Sequence, residues 1–161
     1  MIEALPLVGY CCLLAAAATT DLLRYRIPNV LVGAMALLYP AHLLVRPDRL
    51  DLSAFAAAGA VLAVGFVLFA WGRIGGGDAK LLAVAALWAG AADLPLLLAV
   101  MALTGGAMSV LVVGRSRFLL ARAAGAVGSV RLRDGLIARE LPYGVAIAAG
   151  GLASAIPALA G

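Results

Sequence analysis

Long apolar runs separated by short polar segments dominate the chain, and they predict six membrane-spanning helices. A helix needs about 20 apolar residues to cross a hydrocarbon core of about 30 Å. The approximate bounds of the runs are Ala4–Thr20, Pro28–Val45, Leu52–Trp71, Ala79–Ala92, Leu94–Gly114 and Leu141–Ala160. The polar dividers are Asp21–Arg26, Arg46–Asp51, Gly72–Asp78, Asp93 and the long segment Arg115–Glu140. The fourth run is short for a crossing, so we expect Asp78 to lie below the membrane surface in a notch that water reaches.

The composition supports a membrane protein. Of the 161 residues, 65% are hydrophobic and 12% are charged, whereas soluble domains have about a quarter of charged residues. This balance excludes an ordinary soluble enzyme, a disordered tail and a domain that binds nucleic acid through a basic face. The sequence therefore predicts an all-α polytopic membrane protein in which residues 1–161 form a single domain surrounded by lipid.

The distribution of positive charge predicts how the helices are oriented. With the N-terminus outside, only Arg46 and Arg49 of the twelve Lys and Arg residues lie outside, which leaves ten inside. Cytoplasmic loops carry such a basic excess, so both termini are expected outside. In the long inner segment Arg115–Glu140, Phe118–Leu120 lie among arginines, which indicates an interfacial helix between the fifth and sixth spans. A tether without a further role remains an equal alternative.

Two acidic residues at the predicted inner ends of helices are the leading functional candidates. Asp21 ends the first run and Asp78 begins the fourth, and acids at membrane depth are functional suspects. Each also has a structural interpretation, because Asp78 follows glycines as a helix N-cap would and Asp21 could pair with Arg24 or Arg26. Taken together, two nearby carboxylates suit hydrolysis of an amide, since one can accept a proton from water while the other donates one.

The helix dipoles predict that the two acids differ in which one is protonated. Asp21 lies at a predicted helix C-terminus, which favours a protonated carboxyl group, and Asp78 lies at an N-terminus, which favours the anion. We therefore expect Asp21 to carry the proton that the pair shares.

The residues that other classes of peptidase require are missing from the predicted inner ends of the helices. The single histidine, His42, is predicted near the outer end of the second run, and Cys11 and Cys12 lie within the first run. A serine or cysteine peptidase needs a base beside its nucleophile, and a zinc peptidase needs an H-E-x-x-H pattern. Neither is present, so we expect no metal and no cofactor.

Three stretches resemble the motifs of the prepilin peptidases, also called type IV leader peptidases. The first-aspartate motif is represented by Asp21-Leu-Leu-Arg24-Tyr-Arg26-Ile27-Pro28-Asn29. The G-x-G-D motif is represented by Gly75-Gly76-Gly77-Asp78, followed by Lys80. The Pro-aromatic-Gly motif of the last helix is represented by Glu140-Leu-Pro142-Tyr143-Gly144. G-x-G-D alone is a weak signal, but the three motifs in this order are specific.

The resemblance implies a six-helix aspartic endopeptidase with Asp21 and Asp78 as its catalytic residues. Such an enzyme cleaves the basic leader from prepilins or pseudopilins at the cytoplasmic face of the bacterial inner membrane. The chain's small size resembles the stand-alone peptidases of tight-adherence (Flp-type) pilus systems. It lacks the cysteine-rich insert of larger members, which makes N-methyltransferase activity doubtful. The particular prepilin and the presence of a homodimer are left open.

The motif also supplies residues that are expected to shape the site or contact substrate. Gly75, Gly76 and Gly77 would let an extended substrate backbone approach the acids. Asn29 is expected to hydrogen-bond across the bundle. Lys80 is expected to extend toward the membrane surface or to steer the charge of an acid, and Glu140 to bind a basic leader peptide.

The remaining motif positions have mainly structural expectations. Pro28 and Pro142 suit the first turn of a helix, where the missing N–H group has no cost. Tyr143 fits the aromatic belt at the membrane surface, and Gly144 enters as a site-shaping residue through the motif.

Other functions remain as alternatives. A small proton- or ion-coupled transporter could use Asp21 and Asp78 as relay acids, although transporters often have internal repeats and none is visible. A catalytically silent assembly subunit is also compatible with the sequence. A presenilin-like protease shares G-x-G-D but lacks the stretch from Asp21 to Asn29.

Overall fold

The structure, a computed structural model, describes residues 4–47, 50–113 and 141–160 and four positions between 122 and 128. Within these ranges the chain is helical and contains no strand. The helices are α1 (Leu5–Arg24), α2 (Asn29–Val45), α3 (Leu52–Ala70), α4 (Gly76–Val113) and α5 (Tyr143–Ala160). The all-α prediction is confirmed for the part of the chain that the structure describes.

Three of these helices are long and apolar enough to cross a membrane. They are Leu5–Arg24, Leu52–Ala70 and the range Gly76–Leu111 within α4, while α2 and α5 are shorter apolar helices. The count of six spans and the positions of the termini stay predictions. The interfacial helix predicted within Arg115–Glu140 falls almost wholly outside the described residues.

Helix α4 consists of two helical segments that meet at a break, and they correspond to the predicted runs Ala79–Ala92 and Leu94–Gly114. The backbone breaks inside it at Gly90, with φ 69° and ψ 175°, rather than at the predicted divider Asp93. Glycine adopts a positive φ without the clash of a Cβ atom, whereas a single aspartate can remain helical. The segment from Gly76 to the break is about 21 Å long at 1.5 Å per residue.

Helix α4 lies at the centre of the bundle. It packs against α2, α3 and α5, and α1 packs against α2 and α5. Aromatic rings tie α1 to α4, since Tyr10 stacks on Trp88 with ring centroids 4.4 Å apart. Small residues allow close approach between helices: a Cβ atom at Gly65 of α3 would lie 3.0 Å from the Cβ atom of Ala79. This packing brings the end of α1 and the starts of α4 and α5 to the same end of the bundle.

Candidate active site

Asp21 lies in the last turn of α1 and is almost completely buried, with 5% of its surface exposed. The helix ends just after it, because Tyr25 adopts a left-handed conformation and its N–H group donates to the Asp21 carbonyl at 2.7 Å. The side chain points into the bundle, where Oδ2 accepts a hydrogen bond of 2.7 Å from the backbone N–H of Gly144. Asp21 is therefore held by the first turn of α5, far away in the sequence.

Gly144 allows this contact because it has no side chain. A Cβ atom at this position would lie 2.8 Å from Oδ2 of Asp21 and 3.0 Å from its Cβ atom. The first amides of a helix have no partner within the helix, and the Asp21 carboxylate satisfies one of them. Gly144 was predicted to shape the site only through the motif, and the structure supplies the physical reason.

Asp78 is the third residue of α4 and is half-buried. Its Oδ2 accepts from the backbone N–H of Gly75 at 3.3 Å, while the Gly75 carbonyl accepts the first helical hydrogen bond, from Ala79. Gly75 therefore occupies the N-cap position, and Asp78 reaches back to it as the third helical residue does in a capping box. The structural alternative that Asp78 is itself the N-cap is wrong.

One cavity joins the two aspartates. Its volume is about 240 Å³, and its lining residues are Asp21, Tyr25, Arg26, Ile27, Gly75, Gly76, Gly77 and Asp78. A water molecule occupies about 30 Å³ in the liquid, so the cavity has room for several waters beside the two acids.

The prediction that Asp21 rather than Asp78 carries the shared proton rested on their positions at opposite ends of helices, and the structure does not support that contrast. The prediction placed Asp21 at a helix C-terminus alone, but the carboxylate also contacts the N-terminus of α5. Both Asp21 and Asp78 accept a backbone N–H group at the start of a helix. The position of the shared proton therefore cannot be assigned from helix ends.

The three glycines before Asp78 make room for side chains of this chain. A Cβ atom at Gly75 would lie 2.7 Å from Oδ2 of Asp78. At Gly76 it would lie 3.3 Å from Phe69 Cε2, and at Gly77 it would lie 3.3 Å from the Cβ atom of Ile27. The expectation that these glycines admit a substrate backbone stays a prediction. The contacts give a second reason for glycine here, because a larger residue would collide with Asp78, Phe69 or Ile27.

Lys80 and Asn29 form a bridge between α4 and α2 near the site. The Lys80 ammonium group donates to Asn29 Oδ1 at 3.2 Å, at an exposed position. This contact matches the expectation that Asn29 hydrogen-bonds across the bundle. Pro28 directly precedes α2, with φ −63° and ψ 131°, so it lies one position before the first turn in which it was expected.

The remaining motif residues lie at the start of α5 or beyond the described residues. Pro142 is buried directly before the helix, and Tyr143, its first residue, is exposed. Glu140, which was expected to bind a basic leader, lies outside the described residues.

The sequence interpretation did not include Tyr25, Arg26 and Ile27 among the site residues, although all three line the cavity. Ile27 is the most informative of them. It is half-buried, lines the cavity beside both aspartates, and contacts the first turns of two helices. Its apolar side chain suggested no chemistry, and its only signal was its position inside the first-aspartate motif.

The single histidine lies at the other end of the bundle. His42 is in the last turn of α2, and it lines a separate cavity of about 290 Å³ together with Arg46, Asp51, Trp88, Asp93 and Ser154. It does not line the cavity that contains Asp21 and Asp78. Among the described residues, no group of three or more His, Cys, Asp or Glu side chains could hold a metal ion.

The protein is thus a bundle of apolar helices with an acidic site at one end, where two carboxylates line one cavity. The comparison with protein families identifies the group more closely. The sequence model of the type IV leader peptidase family matches residues 8–110, and the chain belongs to this family of peptidases. The matched range contains Asp21 and Gly75–Asp78 and ends before Pro142. No curated protein and no solved structure matches the chain.

Proposed function

We propose that the protein is an aspartic endopeptidase in which Asp21 and Asp78 are the catalytic residues. The observation that carries this proposal is their meeting in one cavity, although they belong to α1 and α4. Membership of the family implies peptidase activity, and the carboxylate pair offers a chemical mechanism for it.

The reaction requires one ionised and one protonated carboxyl group. The ionised group takes a proton from water as the water oxygen attacks the peptide carbonyl carbon, and the protonated group donates its proton to the carbonyl oxygen. In the second step the first carboxyl group returns its proton to the leaving amine nitrogen and the C–N bond breaks. The second carboxylate takes a proton from a hydroxyl group of the tetrahedral intermediate as the C=O bond re-forms, which restores the starting state of the pair. Two carboxylates that line one cavity favour the required shared-proton state, because both ionise together only at a high energetic cost.

The backbone amides of Gly75 and Gly144 orient the pair. Each donates to Oδ2 of one aspartate and so fixes the direction of that carboxyl group. Burial of Asp21 and partial burial of Asp78 keep bulk water away, which strengthens the electrostatic interactions in the site. This orientation before substrate arrives lowers the cost of reaching the transition state.

The proposed substrates are prepilins or pseudopilins, cleaved after a basic leader at the cytoplasmic face of the bacterial inner membrane. The family supports prepilin-type substrates. The excess of Lys and Arg that the sequence predicts on the side of Asp21 and Asp78 supports a cytoplasmic site. A transporter that uses the same acids as relay groups gains no support, because both acids lie at one end of the bundle.

The test is processing of a candidate prepilin in bacterial membranes, with the chain supplied as the wild type, Asp21→Asn, Asp78→Asn or Asp93→Asn. Asp93 is the matched control, because it is an aspartate that lines the cavity at the opposite end. We expect full processing with the wild type and Asp93→Asn and none with the other two variants. Processing by either Asp21→Asn or Asp78→Asn at the wild-type level would refute the proposal.

A further inference from the structure

One side chain separates the first turns of α4 and α5. A Cβ atom at Gly77, in the first turn of α4, would lie 3.3 Å from Ile27 Cβ, and one at Gly144, in the first turn of α5, would lie 2.9 Å from Ile27 Cδ1. The two contacts are at opposite ends of the isoleucine side chain. Ile27 thus fills the space between two helix N-termini, at the wall of the cavity that contains both aspartates.

Ile27 is conformationally stiff in both backbone and side chain. It precedes Pro28, and a residue before proline is restricted to extended conformations. Its branching at Cβ limits the rotation of the side chain about χ1. Its backbone carbonyl also contacts α4, lying 3.7 Å from the position of a Cβ atom at Gly77. Because Ile27 has few accessible conformations, a change in the length of its side chain would shift the first turns of α4 and α5 on either side of it.

Each of these two helix starts carries one aspartate. Asp21 is hydrogen-bonded to the Gly144 amide in the first turn of α5, and Asp78 is covalently part of the first turn of α4 and bonded to Gly75. The distance between the two first turns therefore determines the distance between the carboxyl groups.

We propose that Ile27 is a positioning residue, which sets the separation of the Asp21 and Asp78 carboxyl groups by holding the N-termini of α4 and α5 apart. This inference rests on the proposed function of the two aspartates. The interaction between two charges varies with their distance, so a change at Ile27 alters how the pair shares its proton. A residue that only filled space would affect folding and leave the proton sharing unchanged.

The test compares Ile27→Val and Ile27→Leu with the wild type in purified, lipid-reconstituted form, using a prepilin-derived peptide. Valine keeps the branch at Cβ beside Gly77 and removes the Cδ1 atom that reaches Gly144, while leucine keeps the volume and moves the branch. Ile147→Val is the matched control, since Ile147 is a fully buried core residue outside the cavity. The readouts are kcat, KM and the pH dependence of kcat, each normalised to the folded fraction.

For Ile27→Val we expect kcat to fall by about tenfold, as small misplacements of reacting groups do, with KM within about twofold of the wild-type value. The two limbs of the pH profile should change their separation, and Ile27→Leu should show the same type of change. Ile147→Val should keep the wild-type profile. An unchanged profile in both Ile27 variants, with or without a lower kcat, would overturn the inference.

Asp78→Asn, measured in parallel, separates this inference from the proposed function. If Asp78→Asn is inactive while both Ile27 variants keep the wild-type profile, only the positioning role fails. If Asp78→Asn cleaves as the wild type does, the catalytic proposal fails and the Ile27 inference fails with it.

Discussion

The Oδ2 atom of Asp21 accepts a hydrogen bond of 2.7 Å from the backbone N–H of Gly144, 123 residues further along the chain. This contact joins the last turn of α1 to the first turn of α5. It also links the first-aspartate motif with the Pro-aromatic-Gly motif, which lies outside the range that the family model matches. The third motif therefore acts on the site by orienting a carboxyl group.

Substitution of Gly144 by alanine should remove activity. The new methyl group would lie 2.8 Å from Oδ2 and 3.0 Å from Cβ of Asp21, so the carboxyl group or α5 must shift. We expect peptide cleavage to fall by about a hundredfold or more and the free energy of unfolding to fall by about 1–3 kcal/mol. Cleavage rate and thermal unfolding in detergent would measure both effects.

Gly59→Ala is the matched control for this substitution. Gly59 lies within α3, and a Cβ atom there would meet nothing within 4 Å. Because alanine favours a helix more than glycine does, this variant should be active and at least as stable as the wild type. Equal activity of Gly144→Ala and Gly59→Ala would contradict the assigned role of Gly144.

Gly90 should resist substitution because of its backbone conformation. Its φ is 69° and its ψ is 175°, a region essentially restricted to glycine, in which a residue with a Cβ atom costs about 1–3 kcal/mol. Gly90→Ala should lower the free energy of unfolding by this amount, whereas Gly106→Ala, in the same helix with open space around it, should not. Equal stability of the two variants would show that the break in α4 does not need glycine.

The bridge between Lys80 and Asn29 should contribute little to stability. Its hydrogen bond is exposed and 3.2 Å long, and exposed polar contacts typically contribute less than about 1 kcal/mol. A double-mutant cycle with Asn29→Ala and Lys80→Met should give a coupling energy below this value, with cleavage reduced by no more than about threefold. A loss of activity comparable to that of Asp78→Asn would instead place Lys80 in the catalytic machinery.

Asp51 should titrate at unusually low pH. The Ser53 hydroxyl and backbone N–H donate to its carboxylate at the start of α3, and they hold the pKa of Asp51 below its ordinary value. A lowered pKa means that this contribution to stability is present above the ordinary pKa of about 3.9 and is lost as the pH falls through the lower, folded-state value. In an NMR titration, Ser53→Ala should raise the pKa of Asp51; a wild-type titration midpoint in that variant would contradict the assignment.

The sequence predicted those features that depend on the local alternation of apolar and polar residues. The bounds of α2 and α3 agree with the predicted runs within one residue, because charged residues or proline interrupt the apolar sequence there. Asp21 and Asp78 became candidates for the same reason, since each lies where an apolar run ends or begins, and the structure places both at one cavity. The placement of both acids at one end of the bundle follows from the alternating direction of successive helices.

The features that were missed depend on backbone dihedral angles or on contacts between distant segments. A glycine within an apolar run gives no indication of a positive φ, so the break at Gly90 was placed at Asp93 instead. The Gly144 amide reaches Asp21 only after α1 and α5 pack together. Ile27 was overlooked because its role depends on its shape and its neighbours, and the sequence shows neither.

The most direct test of the central claim is a double-mutant analysis of the two aspartates with purified enzyme and a prepilin-derived peptide. Residues that act as one catalytic unit lose about as much activity singly as together. We predict that Asp21→Asn, Asp78→Asn and the double variant each reduce kcat by at least about 10⁴-fold, with no further loss in the double variant. Substantial cleavage by either single variant, or losses that multiply in the double variant, would contradict the account of one shared catalytic pair.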